Sequence, residues 1–177
     1  MDPPIFHVVL HEPEIPNNTG NIGRTCIATG CALHLIEPLG FDTSEKALRR
    51  AGLDYWPRLA PSAHRDWDAY VRATSAGSPT RWLFTTRPTA TPSLPVWDAP
   101  LRAGDHLVFG KETAGLPTDL LDAHPTTQVV FPMVPGERSL NVATAVCAAI
   151  YEGLRQLATR GEIAIDADGR FTRPAVR

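Results

Sequence analysis

Two glycine- and proline-bearing segments constrain this chain more than any other feature. The first is Leu107-Val108-Phe109-Gly110-Lys111-Glu112-Thr113-Ala114-Gly115-Leu116-Pro117, and the second is Val130-Phe131-Pro132-Met133-Val134-Pro135-Gly136-Glu137-Arg138-Ser139-Leu140-Asn141. Each follows an apolar, β-branched run and each leads into a helical stretch. In open α/β sheets, loops leaving the carboxyl ends of parallel strands form the ligand crevice. Two such exits side by side predict a pocket. A third segment, Asn17-Asn18-Thr19-Gly20-Asn21-Ile22-Gly23-Arg24, adds amides and one guanidinium.

Periodicity along the chain predicts alternating strands and helices. Strands are expected at 5–10, 32–36, 81–86, 106–109 and 127–131, with a short one near Arg58 and Leu59. Helices are expected at 20–29, closed by Gly30 and capped by Asn18 or Thr19, and at 44–52, 66–73 and 118–123. The longest helix is expected from Ser139, as N-cap, to about residue 158. Residues 12–18 and the proline-rich stretch 87–100 read as irregular. The alternation predicts a mostly parallel sheet with helices on both faces. Residues 1–160 form one domain on this reading, and 161–177 form a polar tail that is mobile or at most a small hairpin.

A length of 177 residues suits one domain with a core that needs no disulfide or metal. Cys26, Cys31 and Cys147 form no C-x-x-C pair, so reduced, packed thiols are expected. No apolar run approaches the roughly 20 residues of a membrane span, and the acidic start lacks the basic region of a signal peptide. A cytoplasmic protein without membrane contact is the expectation. The net charge of −2 argues against a uniformly basic nucleic-acid binder. The cations are nearly all Arg, 15 against two Lys, and local clusters such as Arg49 and Arg50, Arg138, and Arg155 with Arg160 carry any interest.

The known phosphate-loop patterns fail. Gly110-Lys111 is followed by Glu112 where a P-loop needs Ser or Thr, and Gly104 lies one residue too far upstream. No G-x-G-x-x-G follows a strand. A pocket of backbone polar groups with apolar walls from Phe84, Leu116, Phe131 and Met133 suits an adenine better. The six His residues show no metal-ligand spacing, and no metal is expected. His7, His34 and His106 sit in strand patterns as packed or edge residues. Arg24 has two readings, a salt bridge to Glu12 or Glu14, or a phosphate or ribose contact beside the pocket. The last helix carries Leu140, Ala143, Val146, Ile150 and Leu154 on one face. Its small residues Ala145, Ala148, Ala149 and Gly153 leave room for a second subunit.

The three segments resemble the three motifs of the SPOUT methyltransferases, knotted α/β enzymes that use S-adenosylmethionine. Residues 17–24 resemble the first motif, 109–117 the second and 132–142 the third. The strings His11-Glu12-Pro13-Glu14-Ile15-Pro16-Asn17-Asn18-Thr19-Gly20-Asn21, Leu48-Arg49-Arg50-Ala51-Gly52-Leu53-Asp54-Tyr55 and Pro132-Met133-Val134-Pro135 are similar to the small tRNA (cytidine/uridine-34) 2′-O-methyltransferase group. The resemblance spans residues 5–158.

It implies a deep C-terminal trefoil knot, a homodimer and an S-adenosyl-L-methionine site within the knot. By position it implies that Phe84, Gly110, Phe131 and Ser139 contact the cofactor, with Met133 and Leu140 as further walls. Arg24, Glu112, Ser139 and Asn141 are the implied reaction residues. Arg24, Arg49, Arg50, Arg138 and Arg155 are the candidate RNA contacts, with the tRNA anticodon stem-loop as partner. The implied reaction is methyl transfer to the ribose 2′-hydroxyl of the wobble nucleotide. Arg24 then acts as a general base or, since a guanidinium stays charged, as an electrostatic clamp. The same chemistry on another RNA position, or a non-catalytic cofactor- and RNA-binding dimer, are the alternatives.

Overall fold

The computed structural model describes residues 3–42, 55–87 and 91–172. In chain order the elements are β1 (His7–His11), α1 (Pro16–Thr29), β2 (Ala32–Ile36), α2 (Trp56–Leu59), β3 (Ser62–His64), α3 (Trp67–Ala73) and β4 (Arg81–Phe84). There follow β5 (Leu94–Pro95), β6 (His106–Phe109), α4 (Thr118–Asp122), β7 (Gln128–Val130), α5 (Val142–Thr159), β8 (Ala164–Ile165) and β9 (Phe171–Thr172). The helix expected at 44–52, together with Arg49 and Arg50, lies outside the described residues.

Seven strands form one sheet in the order β3-β2-β1-β6-β4-β7-β5, and every pair in it is parallel. Successive side chains of a strand point to opposite faces, so a strand covered on both sides must be apolar throughout. The central strands obey this apart from their histidines. Val8 and Leu10, with Leu107 and Phe109, pack among Ile22 and Cys26 of α1 and Val146, Ile150 and Leu154 of α5. Val9 and Val108 face the other way, onto Tyr70 of α3 and Leu120 and Leu121 of α4. The expected α/β layering with helices on both faces is present.

Several elements differ from the sequence expectation. The run at Arg58-Leu59 is not a strand but part of α2, a single turn with Pro in its first turn and Ala60 left-handed at its end; β3 follows at Ser62. Helix α1 starts at Pro16 rather than Gly20, since proline at the first turn sacrifices no hydrogen bond. Asn18 and Thr19 therefore sit inside the helix, and neither caps it. The N-cap is Ile15, without a side-chain bond, while Gly30 closes the helix in the left-handed conformation as expected. The stretch 87–100 contains the two-residue strand β5, which reaches the sheet edge where a proline is tolerated. Residues 164–172 carry a small antiparallel hairpin, which the expectation for the tail included.

Helix α5 begins at Val142 and its cap is Asn141, not Ser139. Leu140 precedes the helix and is exposed. Two of the small residues on α5 serve the chain's own core. Ala149 is fully buried, and a Cβ on Gly153 would stand 2.5 Å from the Phe6 ring. The exposed side of α5 carries Thr144, Ala148, Tyr151 and Arg155.

On the α3 face of the sheet the strand histidines form a connected row. His7 Nδ1 lies 2.9 Å from His34 Nε2, and His34 Nδ1 lies 3.1 Å from His64 Nε2. His7 stacks on His106 at 4.4 Å, and His106 Nδ1 meets the Tyr70 hydroxyl at 2.5 Å. Burial pushes the His34 and His106 rings down to about 3 and lifts the Tyr70 phenol to about 12. The row holds neutral imidazoles. Among the described residues no group of three or more His, Cys, Asp or Glu side chains is placed to hold a metal. The three cysteines are free thiols.

Candidate functional site

In the sheet, β4 stands between β6 and β7, so the two glycine- and proline-bearing exits are not direct neighbours. The exit of β4 lies between them and joins the pocket. At these three carboxyl ends is a cavity of about 510 Å³. Its apolar floor is aromatic. The Phe84 ring stacks on Phe109 at 4.5 Å and 11°, and lies 5.6 Å from Phe131. Phe84, Gly110, Phe131, Met133, Ser139 and Leu140 all line the cavity, as do Glu112, Arg138 and Asn141. Leu116 does not. It is buried in the core on the α3 and α4 face, because the turn after Gly115 carries it away from the cavity.

The loop after β6 folds back on itself. Gly115 donates its N–H to the Lys111 carbonyl at 2.8 Å and is left-handed, with φ 67. A Cβ on Gly110 would lie 2.0 Å from the Gly115 carbonyl carbon, so only glycine fits there. This loop is fastened to the segment leading into α1. Lys111 Nζ pairs with Glu12 at 2.8 Å, and Glu14 accepts from the Thr113 N–H and hydroxyl, both at 3.0 Å. These bonds from Thr113 hold the Glu14 carboxyl below its usual range, and the bond to Glu12 raises the Lys111 ammonium. Lys111 is therefore engaged within the chain.

Glu112 is the centre of the arrangement. Its Oε2 accepts from the Glu14 N–H at 2.9 Å, and its Oε1 accepts from Ile15 N–H at 3.3 Å and from Asn18 Nδ2 at 2.9 Å. Asn18 Oδ1 then accepts from Asn141 Nδ2 at 3.0 Å. Asn141 Oδ1 accepts from the N–H groups of Ala143 and Thr144, at 2.9 and 3.3 Å, and so caps α5. With backbone donors aimed at both ends, each amide has one orientation that satisfies its neighbours. One hydrogen-bonded chain thus ties together all three sequence segments beside the cavity.

The candidate cations are less uniform. Arg138 is exposed at the cavity wall. Arg155 is bound by both carboxylate oxygens of Glu152, at 2.8 and 2.9 Å, and Arg160 pairs with Glu162. Arg24 makes no salt bridge to Glu12 or Glu14. Glu12 and Glu14 are bonded to Lys111 and Thr113, and Arg24 is not among the residues lining the cavity. Its guanidinium lies over the Tyr55 ring, 5.2 Å from the centroid. Two lining residues were not singled out from the sequence. Arg87 at the β4 exit donates to the Ala114 carbonyl and, at 3.2 Å, to Thr118 Oγ1, clasping the folded loop. Asn18 read as a cap; only its contact across 123 residues of sequence reveals it as the link to Asn141.

A parallel sheet with a glycine-cradled, aromatic-floored cavity at its carboxyl ends defines a cofactor-binding α/β protein. This chain belongs to the SpoU rRNA methylase family, whose model matches residues 5–151. It is 46% identical over 158 residues to the tRNA (cytidine(34)-2′-O)-methyltransferase of Burkholderia ambifaria, covering 89% of this chain and 99% of the relative. A solved structure concerned with 2-OH methylation of C/U34 on tRNA is similar at a TM-score of 0.79 and 43% identity, covering 90% of this chain and all of its own. The SpoU methyltransferase AviRb of Streptomyces viridochromogenes, solved in complex with AdoMet, shares the fold at a TM-score of 0.72 and 23% identity, covering 90% of this chain and 60% of its own. Among the described residues no helix is long and apolar enough to cross a membrane.

Proposed function

We propose that this chain methylates the ribose 2′-hydroxyl of the pyrimidine nucleotide at position 34 of tRNA, using S-adenosylmethionine. The observation that carries the reading is the Glu112–Asn18–Asn141 chain of bonds, which holds three segments at one cavity in a protein so similar to enzymes of that activity. The residues present fit the cofactor. Gly110 and Gly115 of the folded-back loop bring backbone polar groups to the cavity wall, and the stacked Phe84, Phe109 and Phe131 rings offer an apolar bed for an adenine.

When bound, S-adenosylmethionine supplies a methyl carbon already activated by its sulfonium. The protein's task is to bring an oxygen into line with it, and positioning of this kind supplies several kcal/mol, up to roughly 7–11, of the barrier reduction. Phe84, Gly110, Phe131, Met133, Ser139 and Leu140 bind the cofactor on this reading. Glu112 and Asn141 have their hydrogen-bonding groups engaged, so they act by fixing the loops rather than by exchanging protons. Ser139 offers its hydroxyl at the cavity wall. Arg24 serves as a cationic clamp on the RNA and on charge developing at the oxygen.

A homodimer and a C-terminal trefoil knot belong to the same reading. Arg24 stands outside the cavity of its own chain, and Thr144, Ala148 and Tyr151 leave one side of α5 open to a second copy. Arg138 and Arg24 are then the RNA contacts. Arg155 is a weaker candidate because Glu152 already compensates it. The test is transfer of labelled methyl to a cellular tRNA pool followed by nucleoside mass spectrometry. A 2′-O-methylated pyrimidine at position 34 is the expected product. A methylated base, or transfer to ribosomal RNA alone, would overturn the assignment.

A further inference from the structure

Outside the main cavity a second, smaller hollow of about 170 Å³ is lined by Arg24, Ile27, Tyr55 and Arg58. Two arginines from different elements, Arg24 of α1 and Arg58 of α2, line it. The ring of Tyr55 is buried and locked, its hydroxyl donating to the Gly20 carbonyl of α1 at 2.5 Å. The turn α2, which carries Arg58, packs tightly on α1. A Cβ on Gly23 would stand 2.7 Å from Leu59 Cδ2. The backbone positions that carry Arg24 and Arg58 are thus held in a fixed relation by the scaffold beneath them.

Like charges brought together and left uncompensated are costly unless an anion visits them. Among the described residues, Arg65, Arg155 and Arg160 are each paired with a carboxylate, while Arg24 and Arg58 are not. Both are exposed, and the net charge of the chain is −2, so this pair stands out against the surroundings. The hollow has room for a tetrahedral oxyanion rather than a nucleoside. Guanidinium forks match phosphate oxygens in pairs, and the Arg24 guanidinium lies over the Tyr55 ring, 5.2 Å from its centroid, at the side of this hollow. Helix α1 carries Asn18 at the main cavity and Arg24 six residues on, about 9 Å along its axis.

We infer that Arg24 and Arg58 together hold one backbone phosphate of the RNA substrate over the Tyr55 ring, which makes Arg58 a substrate-positioning residue for the methyl transfer. The inference rests on the RNA methyltransferase reading above. The phosphate it holds flanks the nucleotide presented at the main cavity.

The experiment measures binding of an anticodon stem-loop RNA to the full chain over a salt series, for wild type and for R58A, R58K, R24A and the R24A/R58A double variant. R58A should weaken binding several-fold and flatten the slope of log affinity against log salt by part of the roughly 0.7 to 0.9 that one phosphate contact contributes, and the double variant should lose that whole share. KM for the RNA should rise while kcat at saturation and S-adenosylmethionine affinity stay near wild type. R58K should restore only part of the affinity, because it keeps the charge and loses the fork. The double variant should lose less than the sum of the two single losses. Unchanged affinity and slope in R58A, full rescue by lysine, or additive losses would overturn the shared phosphate. Wild-type protein that fails to methylate any RNA would instead overturn the functional reading itself.

Discussion

Asn18 and Glu112, 94 residues apart in the chain, are joined by a 2.9 Å hydrogen bond from the Asn18 amide to the Glu112 carboxylate. That bond is the first link of the brace beside the cavity. With Glu14 and Ile15 also donating to Glu112, the side chain anchors the loop after β6 to the start of α1. Replacing Glu112 with Ala strands three donors in a partly enclosed site. Stability should fall by about 2 kcal/mol, and S-adenosylmethionine affinity should fall with it. Urea unfolding and calorimetric titration would measure the two losses; a fully stable variant with intact cofactor affinity would contradict the brace.

Gly110 admits no side chain, since even a methyl group would collide with backbone at 2.0 Å. In Gly110→Ala the folded-back loop must open. Cofactor binding should become undetectable while the far-UV spectrum stays close to wild type, because the strain lies in one loop.

Asn141 has two duties that substitution can separate. Asp at this position keeps the oxygen that caps α5 but cannot donate to Asn18 Oδ1, whereas Ala removes both contacts. N141A should lose about 1 kcal/mol from the cap. N141D should keep most of the stability and lose most of the methyl transfer. Melting temperatures set beside single-turnover rates would check it.

Arg24 stands off the cofactor cavity of its own chain. Arg24→Ala should abolish turnover and leave S-adenosylmethionine affinity nearly intact. Parallel loss of cofactor binding would rule out the clamp.

The histidine row makes acid a specific denaturant of this fold. In the unfolded chain each ring protonates near 6.5, whereas burial drives His34 and His106 to about 3 in the folded protein. A folded-state value below the unfolded one means that the unfolded chain binds more protons below 6.5. The stability is therefore fully present above 6.5 and is lost progressively as pH falls towards 3. Each of the two rings should steepen this loss by up to about 1.4 kcal/mol per pH unit. Urea midpoints recorded between pH 7.5 and 4.5 should show the decline, and His34→Phe should flatten it. An unchanged slope in that variant would refute the account.

The sequence alone determined the layering. Strands such as β1 and β6 send apolar residues to both faces, and that pattern requires helices above and below. It also marked the cavity, because Gly110 and the prolines around Met133 are local signals of backbone that must turn or approach closely. What it left open depended on contacts between distant segments. Ser139 and Asn141 are both good caps in isolation, and Asn141 takes the role while donating to Asn18 across the site. Asn18 and Thr19 read as caps until Pro16 starts the helix ahead of them. The strand histidines read as separate packed residues, and only the parallel register sets His7 beside His106. Arg155 read as a candidate RNA contact, and only the folded helix shows Glu152 holding it with both oxygens. Local propensity and hydrophobic period belong to neighbours in sequence, so they are written in it. Which donor meets which acceptor across 94 or 123 residues is decided only when the chain closes on itself.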